Sequence, residues 1–406
     1  MPTTLGRAFE VGSASIDGSV SVKKGVDKRA MAVLSAGHLF TDVNQGVVAA
    51  LVPFLVAERE LSLAAAGFLV LAATLSSSIV QPLFGYFSDR MPLAALMPVG
   101  LMLGGVGIAL AGIAPNYPLI LLCTILSGLG VAAFHPESAR FANYVSGTGR
   151  ARGMSFFSVG GNIGFALGPV ITTPLVLYFG LPGSLFLVIP ALLMGVVLFY
   201  ELPRLLTFRP AAVEATEEGA SEEPEYWGPF ARMVLVVTVR SFVYFALVTF
   251  VAQYYIEVLD SSPAFANAAL SVMLFAGAFG TLTLGPLADR IGRRTVLVGS
   301  MLMLSPLLYA FTLSGPLWGI VFLALVGAAT IGTFGVTVVM GQEYLPGRIG
   351  VAAGVTLGLS IGIGGVGAPI FGAVADSFGL TTMMLTLATL PLVGLALALS
   401  LPRRPI

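Results

Sequence analysis

Charge is the first thing this chain lacks. Of its 406 residues, 10% are charged and 57% are hydrophobic, whereas a soluble domain carries roughly 25% charged residues. A surface facing water could not be covered from such a composition, which excludes an ordinary soluble protein. Cysteine is nearly absent. Cys123 stands alone, which excludes an intrachain disulfide and the stapled secreted folds. Histidine is scarce too: His38 and His135 fall in different apolar runs. No zinc spacing, nucleophile elbow or phosphate loop accompanies them. The sequence therefore predicts no enzyme, no cofactor, no metal and no nucleic-acid partner. The first 29 residues are polar and lack the apolar core of a signal peptide.

What the chain has in abundance is long apolar runs. A bilayer-spanning helix needs about 20 mostly apolar residues. Punctuation by charges, prolines and glycines divides the sequence into twelve such spans: 30–57, 63–86, 93–114, 118–142, 153–179, 182–201, 229–257, 265–287, 295–314, 316–341, 349–376 and 379–401. They are too long, and too apolar on all sides, for the alternating strands of a membrane barrel. The expectation is an all-α integral membrane protein.

Basic residues concentrate in cytoplasmic loops. With both termini inside, 18 of the 20 fall on the inner side; Arg59 lies outside and Arg240 lies within a span. An odd number of spans would break that pattern. The resulting plan is a cytoplasmic tail at 1–29, a six-helix bundle at 30–201, an acidic cytoplasmic linker at 202–228, a second six-helix bundle at 229–401 and a tail at 402–406.

The two bundles repeat each other. "GYFSDR" at Gly85 returns as "GPLADR" at Gly285. "GNIGFALGP" ends at Pro169 and "IGIGGVGAP" at Pro369, the same 200-residue offset. Repeated halves with polar groups at mid-depth are the pattern of a transporter that rocks about a central site.

Polar residues inside the spans are the candidate site. "AGHLFTDVNQG", residues 36–46, puts His38, Asp42, Asn44 and Gln45 in the first span. Asp42 lies about 18 Å along that helix, just past mid-membrane. His38, Asp42 and Gln45 share a face, and buried ionisable groups usually face a cavity or a partner. Arg240 sits at matching depth in span seven, with Tyr244 one turn on. A central Asp42–Arg240 pair is expected, either as part of the transport site or as a lock between helices. Asn162 of span five completes the candidate cavity set. Gly160, Gly164 and Gly168 recur every four residues, a spacing for close helix contact.

A second set of residues lies toward the cytoplasmic ends and reads as a gate: Asp89, Arg90, His135, Glu137, Arg140, Gly285, Asp289, Arg290, Arg293, Arg294 and Glu343. Glu137 and Arg140 are spaced to pair on one helix. They and His135 suit either a structural cap or a transport role. Gly285 is placed for close helix approach, and Asp289 for a helix N-terminus.

"GPLADRIGRR" resembles the signature loop of the major facilitator superfamily. Its first copy departs at Met91–Pro92 and Leu93–Ala94. The glycines of span five resemble the antiporter motif of drug/proton exchangers, although Thr172 and Thr173 stand where its closing glycines would be. "GHLFTDVNQG", "FHPESARFA", "FSVGGNIGFALGP" and "VRSFVYFALVTF" together resemble the fosmidomycin resistance protein family. That resemblance implies the major facilitator fold, working as a monomer among membrane lipids in the bacterial inner membrane. It also implies export of small organic molecules or drugs, a fosmidomycin-like antibiotic among them, in exchange for protons. Proton-linked uptake of a small metabolite is the alternative.

Overall fold

The computed structural model describes residues 25–90, 93–147, 149–208, 224–348, 351–352 and 354–402. The first half contains α1 (Lys28–Arg59), α2 (Leu63–Arg90), α3 (Leu96–Ala111), α4 (Tyr117–Val145), α5 (Arg150–Phe179) and α6 (Val188–Leu205). The second contains α7 (Trp227–Glu257), α8 (Pro263–Ile291), α9 (Arg293–Leu313), α10 (Pro316–Gly332), α11 (Phe334–Tyr344), α12 (Ser360–Gly364), α13 (Gly367–Phe378) and α14 (Leu380–Leu399). Among the described residues, ten helices are long and apolar enough to cross a bilayer. Of the shorter apolar helices, Leu96–Ala111 lies within expected span three, and Gly362–Phe378 lies in expected span eleven and runs two residues past its expected end.

Local chemistry sets the helix ends. Asp27, Asn116 and Ser262 accept backbone N–H bonds from Ala30, Leu119 and Phe265 and so cap α1, α4 and α8. The duplication is visible in the backbone. Glu60 and Asp260, at φ 52° and 48°, are the described non-glycine residues with positive φ, and each follows the first helix of its half. Gly180 and Gly379 take positive φ at the ends of the paired helices α5 and α13.

Each half has its own apolar core. Leu34, Met97, Leu101, Phe134 and Leu198 pack in the first; Phe250, Leu270, Leu304, Phe311 and Leu387 pack in the second. Outward-facing positions are also apolar, as at Leu193, Leu313 and Trp318, and suit lipid. Gly160, Gly164 and Gly168 all lie on the α1 backbone, at Ser35, Leu39 and Gly46, where a Cβ would collide. The close contact expected of them is realised between α1 and α5.

Near the chain termini, the polar contacts seen among the described residues join groups of one half. Arg204 bonds Asp27 and Arg29 pairs with Glu201. Arg348 bonds Glu225, whose carboxyl is held below its usual range by the Trp227 indole N–H and by Arg348. The hydrogen bonds seen between the halves cluster at the opposite end. Asp376 at the end of α13 accepts from Leu63 N at 2.8 Å and Ala64 N at 2.9 Å, capping α2 of the other half. Asn267 donates to Ala50 O at 3.4 Å. Gly67 lies so close to α13 that a Cβ would come 2.6 Å from Pro369 N. The halves are thus clasped at the end remote from the termini.

Candidate functional site

A cavity of about 200 Å³ lies between the halves, walled by Asp42, Gln45, Asn162 and Phe165 from one side and Tyr244, Phe245, Leu274, Ile331 and Phe334 from the other. Asp42, Gln45, Asn162 and Tyr244, each named from the sequence, line this one cavity. The phenyl walls were not expected. Phe165, Phe245 and Phe334 sit in runs so apolar that nothing distinguishes a cavity face from a lipid face.

Asp42 is the centre of a compact polar cluster. Gln45 Nε2 donates to Asp42 Oδ1 at 3.0 Å. His38 Nε2 lies 3.3 Å from Asp42 Oδ2, and His135 Nε2 of α4 lies 3.3 Å from Asp42 Oδ1. Both imidazoles are fixed from behind. His38 Nδ1 meets Phe157 O at 2.8 Å, and His135 Nδ1 meets Val131 O at 2.9 Å. A backbone carbonyl can only accept, so each Nδ1 carries its hydrogen. A neutral imidazole has only one N–H, so each neutral Nε2 would turn a lone pair on the carboxylate. The cluster is satisfied when a proton bridges Nε2 and the carboxylate. Its donor atoms lie within 4.8 Å of one another, a set that could also take a divalent cation, although three donors fall short of a closed four-ligand structural site.

Packing holds the cluster in shape. The His38 ring stacks on Phe157 at 4.1 Å and meets His135 edge-on at 5.0 Å. Gly161 of α5 makes the space: a Cβ there would fall 2.5 Å from both Asp42 Oδ2 and His38 Nε2.

Several expectations are corrected. Asp42 and Arg240 do not pair. The aspartate is met within its own half, and Arg240 turns into the other, where Nη1 donates to Thr333 Oγ1 at 2.8 Å and the guanidinium lies 4.1 Å over the Phe334 ring. A shared sequence offset fixes depth along paired helices, not the direction in which a side chain leaves them. His135, grouped with the gate, stands against Asp42 instead. Asn44 does not reach the cavity. It is two positions from Asp42, which is about 200° around the helix, and its amide lies against Gly104 of α3.

The gate residues divide. Glu137 and Arg140 pair, with Nη2 2.6 Å from Oε2. Arg293 bridges Asp289, at 3.2 Å, and Glu343, at 2.5 Å. Arg294 donates to Leu399 O and Leu401 O, tying α9 to the end of α14. Among the described residues, Asp289 is exposed and meets no helix N-terminus, Arg290 is exposed, and Gly285 has open space where a close helix was expected. The hydrogen bonds found between the halves lie at the far end, and among the described residues none joins these gate residues across the halves. The side chains of Asp89 and Arg90 lie outside the described residues, as do 209–223 of the expected linker.

Two repeated helical halves around a central cavity that carries Asp42, Gln45, Asn162 and Tyr244, in an apolar exterior, are the plan of a membrane transporter. The sequence profile of the Major Facilitator Superfamily matches residues 34–356 and 233–406. The chain is 34% identical over 378 residues to an uncharacterized MFS-type transporter, YfnC, of Bacillus subtilis (strain 168), covering 91% of this chain and 92% of that one. It is 31% identical over 372 residues to the fosmidomycin resistance protein of Escherichia coli (strain K12), covering 90% and 91%. Its fold matches a bacterial homolog of the human lysosomal transporter Spinster, in an inward-facing and unoccupied conformation. The TM-score is 0.76 at 16% identity, over 91% of this chain and 95% of that one. The chain belongs to the Major Facilitator Superfamily and, within it, to the fosmidomycin resistance protein family. It is a transporter, not an enzyme.

Proposed function

We propose that this protein exports small organic molecules across a bacterial inner membrane in exchange for protons. The observation that carries the proton half is the Asp42 carboxylate held between two imidazoles whose other nitrogens already donate to the backbone. Such a cluster calls for a proton, stands at the wall of the central cavity, and draws its members from α1 and α4. Rocking of the halves changes its access to water, and with it the cost of holding a charge. The export half is supported by kinship with a protein named for antibiotic resistance. With both termini taken as cytoplasmic, the far-end clasp supports reading this state as inward-facing. His38, Asp42, His135, Gln45, Asn162 and Tyr244 form the working cavity. Asp289, Arg293 and Glu343, with Asp89 and Arg90, form the gate that closes in the other state.

The test is a drug panel that includes fosmidomycin, in cells lacking their own exporters, together with proton-driven uptake into inverted vesicles. Export raises resistance and gives accumulation in inverted vesicles that an uncoupler abolishes. Accumulation confined to right-side-out cells would establish the uptake symporter instead.

A further inference from the structure

The chain has two histidines in 406 residues, and both aim Nε2 at one carboxylate: His38 Nε2 lies 3.3 Å from Asp42 Oδ2, and His135 Nε2 lies 3.3 Å from Asp42 Oδ1. Their Nδ1 atoms donate to Phe157 O and Val131 O, so each neutral imidazole presents a lone pair at Nε2. A proton bridges one of the two contacts at a time and leaves the other as two facing lone pairs. A divalent cation meets all three donors at once. The sequence predicts no metal because these ligands stand on separate helices, where no spacing motif joins them. The fold brings them within 4.8 Å of one another.

The distances fit an ion. Ligands about 2.1 Å from a tetrahedral zinc lie about 3.4 Å from one another, close to the spacing found here, whereas a charge-assisted hydrogen bond is about 2.7–2.9 Å long. The outer partners fit as well. Metal-bound imidazoles donate their second nitrogen to a carbonyl or carboxylate, and metal-bound carboxylates are themselves hydrogen-bonded. Here the backbone takes both Nδ1 atoms, and Gln45 Nε2 donates to Asp42 Oδ1 at 3.0 Å. Gly161 keeps a side chain out of the space beside two of the donors, since a Cβ there would fall 2.5 Å from Asp42 Oδ2 and His38 Nε2. The way in is the central cavity, which Asp42 and Gln45 line and which has room for the waters that complete the coordination.

We propose that His38, Asp42 and His135 form a binding site for a divalent transition-metal ion, with zinc as the ion of matching ligand chemistry. Two imidazoles and one carboxylate favour zinc, copper, nickel or cobalt over magnesium and calcium, which take oxygen ligands. Three protein ligands leave at least one position open, as in zinc sites that exchange a ligand and unlike closed structural ones. All three ligands belong to α1 and α4 of the first half, so rocking of the halves leaves the ligand set intact. The ion excludes the bridging proton, because metal ligands must be deprotonated. The block of transport that follows rests on the proton-exchange reading.

The experiment is titration of the purified full-length protein, carrying a histidine-free affinity tag, in lipid nanodiscs without any gradient. Zinc binding is followed by calorimetry and cobalt(II) binding by visible absorption. The wild type should take one zinc per chain, and cobalt(II) should gain the intense bands of a low-coordinate ion with nitrogen ligands. A large excess of magnesium should displace neither. Asp42→Asn and His135→Gln should each weaken zinc binding by about a hundredfold or more, since loss of even an outer partner costs about 10–100-fold. Both should abolish the cobalt bands while the metal-free proteins still melt cooperatively. Cys123→Ser should bind as wild type. No stoichiometric binding, binding that survives both substitutions, or displacement by magnesium would overturn the site. In inverted vesicles, zinc should block proton-driven transport. Binding without a block would sink the proton reading and leave the metal site standing; proton-driven export in a protein that binds no zinc would sink the metal site alone.

Discussion

Asp42 Oδ1 and His135 Nε2 stand 3.3 Å apart, joining the polar turn of α1 to the proline-bearing stretch of α4. This contact makes the carboxylate part of a three-residue cluster, not one end of a cross-half salt bridge. Asp42→Asn separates charge from shape. An asparagine amide can donate to the Nε2 lone pair of a neutral imidazole whose Nδ1 is protonated. Stability should therefore change by only about 1 kcal/mol, while proton-driven transport collapses. Adding Arg240→Gln should change stability additively, within about 0.5 kcal/mol, because the two groups are not in contact. Thermal melts of the single and double variants check this. A coupling well above that margin would restore the cross-half pair.

Space for the cluster depends on one missing side chain. Gly161→Ala puts a methyl 2.5 Å from Asp42 Oδ2 and His38 Nε2, and overpacking of that kind costs about 1–3 kcal/mol. We expect a lowered melting temperature together with impaired transport. Gly285→Ala is the contrast, since nothing lies within 4 Å of a Cβ there. Its stability should stay within about 0.5 kcal/mol of wild type. If the gate helices close on that glycine in the other state, its turnover should fall all the same. A destabilised Gly285→Ala protein would show that this end of α8 is already packed.

The fold was legible because membrane helices announce themselves by length and apolarity, and because a duplication repeats its motifs at a constant offset. The polar face of α1 was legible as well: Asp42 and Gln45, three positions apart in an apolar run, both line the cavity. Facing neighbours were not. Arg240 and Asp42 share depth yet turn to different neighbours. His135 could not be tied to Asp42, because no periodicity links residues on separate helices. Asp376 was passed over for a related reason. It looks like an ordinary residue at a helix end until the fold brings α2 to it.

Orientation is checked by thiol labelling in a Cys123→Ser background. Pro224→Cys, in the acidic linker just before α7, should resist an impermeant reagent in intact cells and react after lysis. Ser261→Cys, which follows α7 at the clasped end, should react in intact cells. The reverse pattern would turn the molecule over, make this state outward-facing and reverse the assigned direction of transport.

The clasp itself makes the last prediction. Asp376 accepts two backbone N–H bonds from the first turn of α2, a charged cap at a helix N-terminus that also bridges the two halves. Such a cap contributes about 1–2 kcal/mol. The contact can exist only while the far ends are together, so its loss should act on the balance between states more than on folding. Asp376→Asn keeps one acceptor and removes the charge; Asp376→Ala removes both. Spin labels at Glu58→Cys and Val258→Cys, in the Cys123→Ser background, report the far-end gap. The wild type should populate mainly the short distance. Asp376→Ala should shift the population toward the long one by about five- to thirtyfold, the equivalent of 1–2 kcal/mol, with Asp376→Asn in between. A distance distribution that does not move, with an unchanged melting temperature, would mean that the apolar contact of α2 with α13 holds this end alone.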